Sequence, residues 1–213
     1  WPDNWRRFAA LCRVGADIAA AGVKGWRPDI VHAHDWPGAL AAASLRFDAR
    51  AAPCVVTIHN LAFQGRFPPE IFAELQLPSE AWSVEGVEYY GGIGFLKAGL
   101  ISADAITTVS PGYAQEILTP ADGMGLDGLL RARADRLHGI LNGIDGTIWD
   151  PASDAMIARR FSARALGGRA VNRHALEEVF GLVHDDAPLF IVVSRLTLQK
   201  GMDLLVEAID DLV

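Results

Sequence analysis

An α/β fold built on a parallel sheet is what this sequence predicts, and three observations carry the prediction. Short apolar runs such as Cys54-Val55-Val56-Thr57-Ile58 are nearly continuous rather than alternating, the pattern of a strand covered on both faces. Segments of helical period fall between those runs. Turn and cap residues such as Gly22, Ser110-Pro111 and Asn142-Gly143 sit where the pattern changes.

Residues 3–21 read as a helix. Trp5, Phe8, Ala9, Cys12, Ala16, Ala19 and Ala20 share a face, Arg6, Arg13 and Asp17 another, and Asp3 suits the N-cap. Gly22 and the Gly25-Trp26-Arg27-Pro28 run end it. Residues 29–34 form a short strand, and about 37–47 an Ala-rich helix. Residues 53–59 form a second strand. Residues 64–90, with Pro68, Pro69 and Pro78, read as irregular, and 93–102 as a buried helix. Residues 105–109 give a third strand, followed by a helix start at Ser110-Pro111. Residues 137–141 give a fourth strand, 155–181 helices, and 189–194 a fifth strand. An amphipathic helix closes the chain at 201–213, with Met202, Leu205, Val206, Ile209 and Leu212 inward. A domain boundary or hinge is expected near 143–155.

Composition narrows the function. The chain has 213 residues, 51% of them hydrophobic and 21% charged, which supplies a core and argues against disorder. Its 26 acids against 19 bases give a net charge of -7, with no block of like charge, so nucleic acid is not an expected partner. Two cysteines, Cys12 and Cys54, are too few for a disulfide scaffold and are expected as buried free thiols. The longest uncharged run, 51–65, is too short and too polar to span a bilayer, so no membrane partner is expected and a cytoplasmic protein is the default. Sixteen of the 19 bases are Arg; Lys24, Lys97 and Lys200 are the exceptions. Because the chain begins at Trp1 and stops inside a helical pattern, it reads as an internal piece of a longer protein.

Ligands of parallel α/β sheets gather at the carboxyl ends of strands. Three such ends carry chemistry. In His32-Ala33-His34-Asp35-Trp36 the two histidines share a strand face and Asp35 sits at the exit. This run reads as a packed strand with satisfied histidines, as part of a metal site, or as an active-site edge where Trp36 offers a stacking surface. The metal reading lacks a full ligand set, His59 being the only other early histidine, and no metal ligands are assigned. In Thr57-Ile58-His59-Asn60 an imidazole and an amide can each donate and accept, which suits a polyhydroxylated ligand. In Ser194-Arg195-Leu196-Thr197-Leu198-Gln199-Lys200-Gly201 two cations precede a helix N-terminus, which reads as a solvated turn or as a phosphate site. The Gly92-Ile93-Gly94 run lacks the third glycine of a dinucleotide-binding pattern and reads as a helix start. No Asp-x-Asp occurs.

Taken in order, these runs, with Leu61-Ala62-Phe63-Gln64-Gly65, Phe95-Leu96-Lys97-Ala98-Gly99, Val109-Ser110-Pro111-Gly112-Tyr113-Ala114, Leu141-Asn142-Gly143-Ile144-Asp145 and the opening Trp1-Pro2-Asp3-Asn4-Trp5, resemble the bacterial glycogen synthases and plant starch synthases. The resemblance implies Rossmann-like parallel sheets of the GT-B type, incomplete at both ends. It places 1–146 in the later part of the acceptor-side domain. Residues 147–213 would be the hinge and the start of the nucleotide-binding domain. It further implies glucosyl transfer from ADP-glucose to the non-reducing end of an α-1,4-glucan with retention, ADP-glucose being a co-substrate and no cofactor being needed.

By matching position, Arg195 and Lys200 hold the ADP phosphates, and His59, Asn60 and Asn142 surround the transferred glucose. Asp35 lies on the acceptor side with Trp36 beside it; Pro37 stands where bacterial relatives carry His. The implied catalytic set is Asp35, His59, Arg195 and Lys200. A Lys-Gly-Gly segment and a Glu-containing motif of the family lie outside these 213 residues, so the chain alone is expected to be inactive. Two alternatives stand beside this reading. One is another GT-B enzyme, with a different donor or an epimerase chemistry; the other is a non-catalytic glucan-binding module.

Overall fold

The computed structural model describes residues 3–48 and 52–212; the first two residues of the Trp1-Pro2 motif and Val213 lie outside them. The chain packs as two units, Trp1–Gly143 and Ile144–Val213.

The first unit opens with α1 (Asn4–Ala21). Asp3 occupies its N-cap, but the backbone carbonyl, not the side chain, receives Arg6 and Arg7 N–H. Then come β1 (Val31–His34), α2 (Asp35–Phe47) and β2 (Cys54–Ile58). Helix α2 is bounded at Asp35, two residues earlier than its sequence suggests, and Asp35 itself has φ +50°. Residues 64–90 hold more order than expected. They contain β3 (Arg66–Phe67), 3₁₀ turns at Pro69–Glu74 and Ser79–Ala81, and β4 (Glu88–Tyr89). Residues 92–94 are not a helix start but a strand, β5 (Gly92–Gly94), which pairs antiparallel with β3 and β4. A Cβ on Gly92 would stand 2.7 Å from the Phe67 carbonyl oxygen, so the glycine permits the strand approach. Helix α3 (Phe95–Ser102), β6 (Ala105–Thr108), α4 (Pro111–Glu116), α5 (Asp127–Ala132) and β7 (Leu137–Gly139) complete the unit. Ser110 caps α4 by accepting the Tyr113 N–H at 2.8 Å.

The main sheet is fully parallel, in the order β1-β2-β6-β7. All four carboxyl ends therefore open on one edge. Helix α2 lies in the middle of the core, buried from Ala39 to Leu45. Its alanines let α3 come very close: a Cβ on Gly99 would fall 2.5 Å from the Ala39 Cβ. Arg133 closes the other end of α3 by donating to the carbonyls of Leu100, Ile101 and Ala103. Cys12 and Cys54 are buried free thiols, and burial pushes them up to about 11 and about 12. Among the described residues no helix is long and apolar enough to cross a membrane.

The second unit departs from expectation in three places. Residues 155–167 form turns, not helix, and α6 spans only Gly168–Phe180. Aspartates set up the turns leading into that stretch. Asp145, Asp150 and Asp154 each accept a backbone N–H two residues ahead, which competes with helical bonding. Residues 189–194 form no strand, and Phe190, Ile191, Val192 and Val193 stand exposed. An extended run acquires strand geometry from a ladder partner, and none pairs with it among the described residues. Helix α7 (Met202–Leu212) does form, but its apolar stripe is not inward: Val206, Ile209 and Leu212 are exposed, with no sheet beneath them among the described residues.

Candidate active site

The carboxyl edge of the parallel sheet brings together residues from three chain segments. Asp35 leaves β1 and reaches across to the end of β2. Its Oδ1 accepts the His59 N–H at 2.7 Å and the Asn60 N–H at 3.4 Å. Asp tolerates the left-handed backbone that aims it there better than most residues. His59 in turn shares a hydrogen bond with His34, Nδ1 to Nε2 at 3.0 Å. Asn60 folds back so that its Oδ1 accepts the Ala62 N–H at 2.9 Å, which fixes the amide plane and leaves its NH₂ edge as a donor. The next N–H, that of Leu61, donates to the Tyr113 hydroxyl of α4 at 3.0 Å. Gln64 Nε2 donates to the Met124 carbonyl.

Below this edge a second row of polar groups crosses the sheet. His32 Nε2 lies 2.6 Å from Thr57 Oγ1, which lies 2.6 Å from Thr107 Oγ1. The rings of His32 and His34 are 4.3 Å apart, and those of His34 and His59 5.3 Å. Burial first, and then repulsion by His34 and His59 when they are charged, holds the His32 imidazole below its usual range.

Trp36 is partly buried. Much of its ring is taken up by aromatic neighbours. It packs edge-on to Phe8 at 4.8 Å and beside Phe67 and Phe95 at 5.7 and 6.4 Å. Gly65, at φ +61°, lies so close that a Cβ would sit 2.4 Å from the ring. The indole thus fixes the 60–65 loop from behind. Asn142 follows β7 at the same sheet edge, exposed, with no hydrogen bond to Asp35, His59 or Asn60 among the described residues.

In the second unit Arg195 and Lys200 flank a tight turn. Thr197 N–H donates to the Arg195 carbonyl, and Lys200 N–H to the Thr197 carbonyl. A 3₁₀ turn at Leu198–Lys200 then hands over to α7 through Gly201 at φ +68°. Both cations are exposed, and among the described residues neither has an ion-pair partner. Two unneutralised cations ahead of a helix N-terminus fit a multiply charged anion.

Thr57, Thr107 and Tyr113 take part in this arrangement although sequence alone assigns them no role of their own, whereas His34 was already paired with His32 on one strand face. Only cross-strand register reveals the threonines, and only a long-range contact reveals Tyr113.

The family description "Starch synthase catalytic domain" matches residues 1–132, more than half of the chain. The chain belongs to the starch synthase catalytic-domain family. Glycogen synthase of Rhizobium tropici is 58% identical over 214 residues, covering 100% of this chain and 45% of the relative. That of Mesorhizobium japonicum is also 58% identical, covering 100% of this chain and 44% of the relative. The catalytic domain of starch synthase IV from Arabidopsis thaliana, solved with ADP and acarbose bound, superposes with a TM-score of 0.84 at 32% identity. That superposition covers 98% of this chain and 44% of the plant domain. The chain thus spans less than half the length of the curated relatives it matches. Its parallel α/β architecture is that of the family's GT-B enzymes.

Proposed function

We propose that this chain carries the sugar-cradling edge and the diphosphate loop of a retaining glucosyltransferase that moves glucose from ADP-glucose to the non-reducing end of an α-1,4-glucan. The observation that carries the proposal is the Asp35–His59–Asn60 brace at the carboxyl edge of the parallel sheet. Family membership supports it, as does the plant relative solved with ADP and acarbose.

His59 and Asn60 present hydrogen-bonding groups whose directions are fixed from behind. When His34 Nδ1–H donates to His59 Nε2, the neutral His59 keeps its proton on Nδ1 and offers a donor to a sugar hydroxyl. Asp35 commits one carboxylate oxygen to the β2 exit and keeps the other for the acceptor side. Arg195 and Lys200 neutralise the diphosphate as the bond from glucose C1 to the phosphate oxygen breaks. That oxygen takes the bonding pair, the acceptor hydroxyl forms the new bond to C1 on the same face, and its proton passes to the departing phosphate. No protein nucleophile and no cofactor enter this scheme. Electrostatic stabilisation of the leaving group is the main contribution asked of the protein.

Supplying the complete protein with glycogen and either ADP-glucose or UDP-glucose tests the reading. Incorporation from ADP-glucose in marked preference is expected. A preference for UDP-glucose would favour another GT-B donor, and binding of glycogen without transfer would favour a non-catalytic module.

A further inference from the structure

Away from the sheet edge, the second unit holds a compact set of metal-ligating side chains. His174 and Glu177 stand one helical turn apart on α6, and His184 follows the Gly181 cap. Each offers one ligand atom, and these atoms all lie within 4.8 Å of one another. Glu177 is only 1% exposed. It is shielded by the side chains that bind it rather than sunk in an apolar core. Its Oε1 accepts Arg173 Nε at 2.5 Å, and its Oε2 faces His184 Nδ1 at 2.6 Å. Arg173 also donates to the carbonyls of Asp185 and Ala187, so the carboxylate and the 182–187 segment are held together.

We propose that His174, Glu177 and His184 form a site for a borderline-soft divalent cation, zinc being the best fit. Two imidazoles and one carboxylate are a recurrent three-ligand zinc set, with a fourth position left to solvent. Bond lengths of about 2.0–2.1 Å in a tetrahedron place ligand atoms roughly 3.4 Å apart. The two exposed imidazoles reach that spacing by side-chain rotation. The proton that His184 shares with Oε2 is displaced by the cation. Arg173 stays on Oε1, the outer-shell partner that orients a ligating carboxylate.

His174 separates this from a plain ion pair. The Arg173–Glu177–His184 network is complete without it, and among the described residues its ring meets only the His184 ring, edge-on at 5.3 Å. A bound cation would staple α6 to the segment that leads toward Arg195.

The untagged chain titrated with zinc chloride by calorimetry, with magnesium as the hard-cation control, tests the site. One equivalent of zinc with a micromolar or tighter dissociation constant is expected, and no magnesium uptake. His174→Ala should weaken zinc binding at least tenfold while leaving unfolding in EDTA unchanged, since it breaks no hydrogen bond. Glu177→Gln should weaken it as well. Absence of saturable zinc binding overturns the proposal. So does binding that His174→Ala leaves intact, which would move the ion to the His32–His34–His59 cluster or to a thiol.

Discussion

Asp35 does two things at once: it takes up a left-handed backbone and it receives two N–H groups from the end of β2. Ala at this position loses the acceptor and is strained at positive φ, whereas Asn keeps an oxygen and tolerates the backbone. Asp35→Ala is therefore expected to lose about 1–3 kcal/mol in urea unfolding, and Asp35→Asn less than half of that. Equal losses would contradict the clamp. His32 makes a pH prediction. Its folded-state pKa lies below the unfolded value of 6.5, so below that pH the unfolded chain binds more protons. Stability is fully present above about pH 6.5 and declines as the pH falls through the lowered folded value. Urea midpoints measured between pH 7.5 and 5.5 should fall, and His32→Gln should flatten that fall; an identical fall in the variant would remove His32 as the cause.

At the level of elements, the contact between α2 and α3 depends on Gly99 against Ala39. Gly99→Ala must push helix backbones apart, and a cost of about 1–3 kcal/mol is expected from chemical denaturation. A neutral result would mean that the helices have slack the packing does not show. The four parallel strands were legible as short runs between segments of helical period, β2 most clearly from its near-continuous apolar run and β6 from the Ser110-Pro111 cap that follows it. The antiparallel β3-β5-β4 sheet was not, because two- and three-residue strands have no period to read. Residues 189–194 fail in the opposite sense: Ile191, Val192 and Val193 spell a strand, but a strand is a pairing, and local sequence cannot supply the partner. The packing of Trp36 was hidden for the same reason. Its neighbours Phe8, Phe67 and Phe95 are distant in sequence, so no local pattern announces that they share its ring. Likewise Asp35, His59 and Asn60 were visible as residue types at strand ends, while the brace between them needs the β1–β2 register.

At the scale of the whole molecule, the first unit carries the Asp35–His59–Asn60 brace, and the second carries a turn whose two cations have no ion-pair partner among the described residues. The family's relatives are more than twice as long as this chain, so the reaction is a property to be measured on the complete protein. Loss of one charged contact to a developing phosphate charge is worth roughly 2–4 kcal/mol, a rate loss of about 30- to 1000-fold. The most direct measurement is turnover with ADP-glucose and glycogen for the complete protein bearing Arg195→Ala or Lys200→Ala, with unfolding curves alongside. The expected result is a kcat lower by that factor with stability unchanged, both side chains being exposed and free of ion pairs among the described residues. Turnover at the wild-type rate in both variants would contradict it.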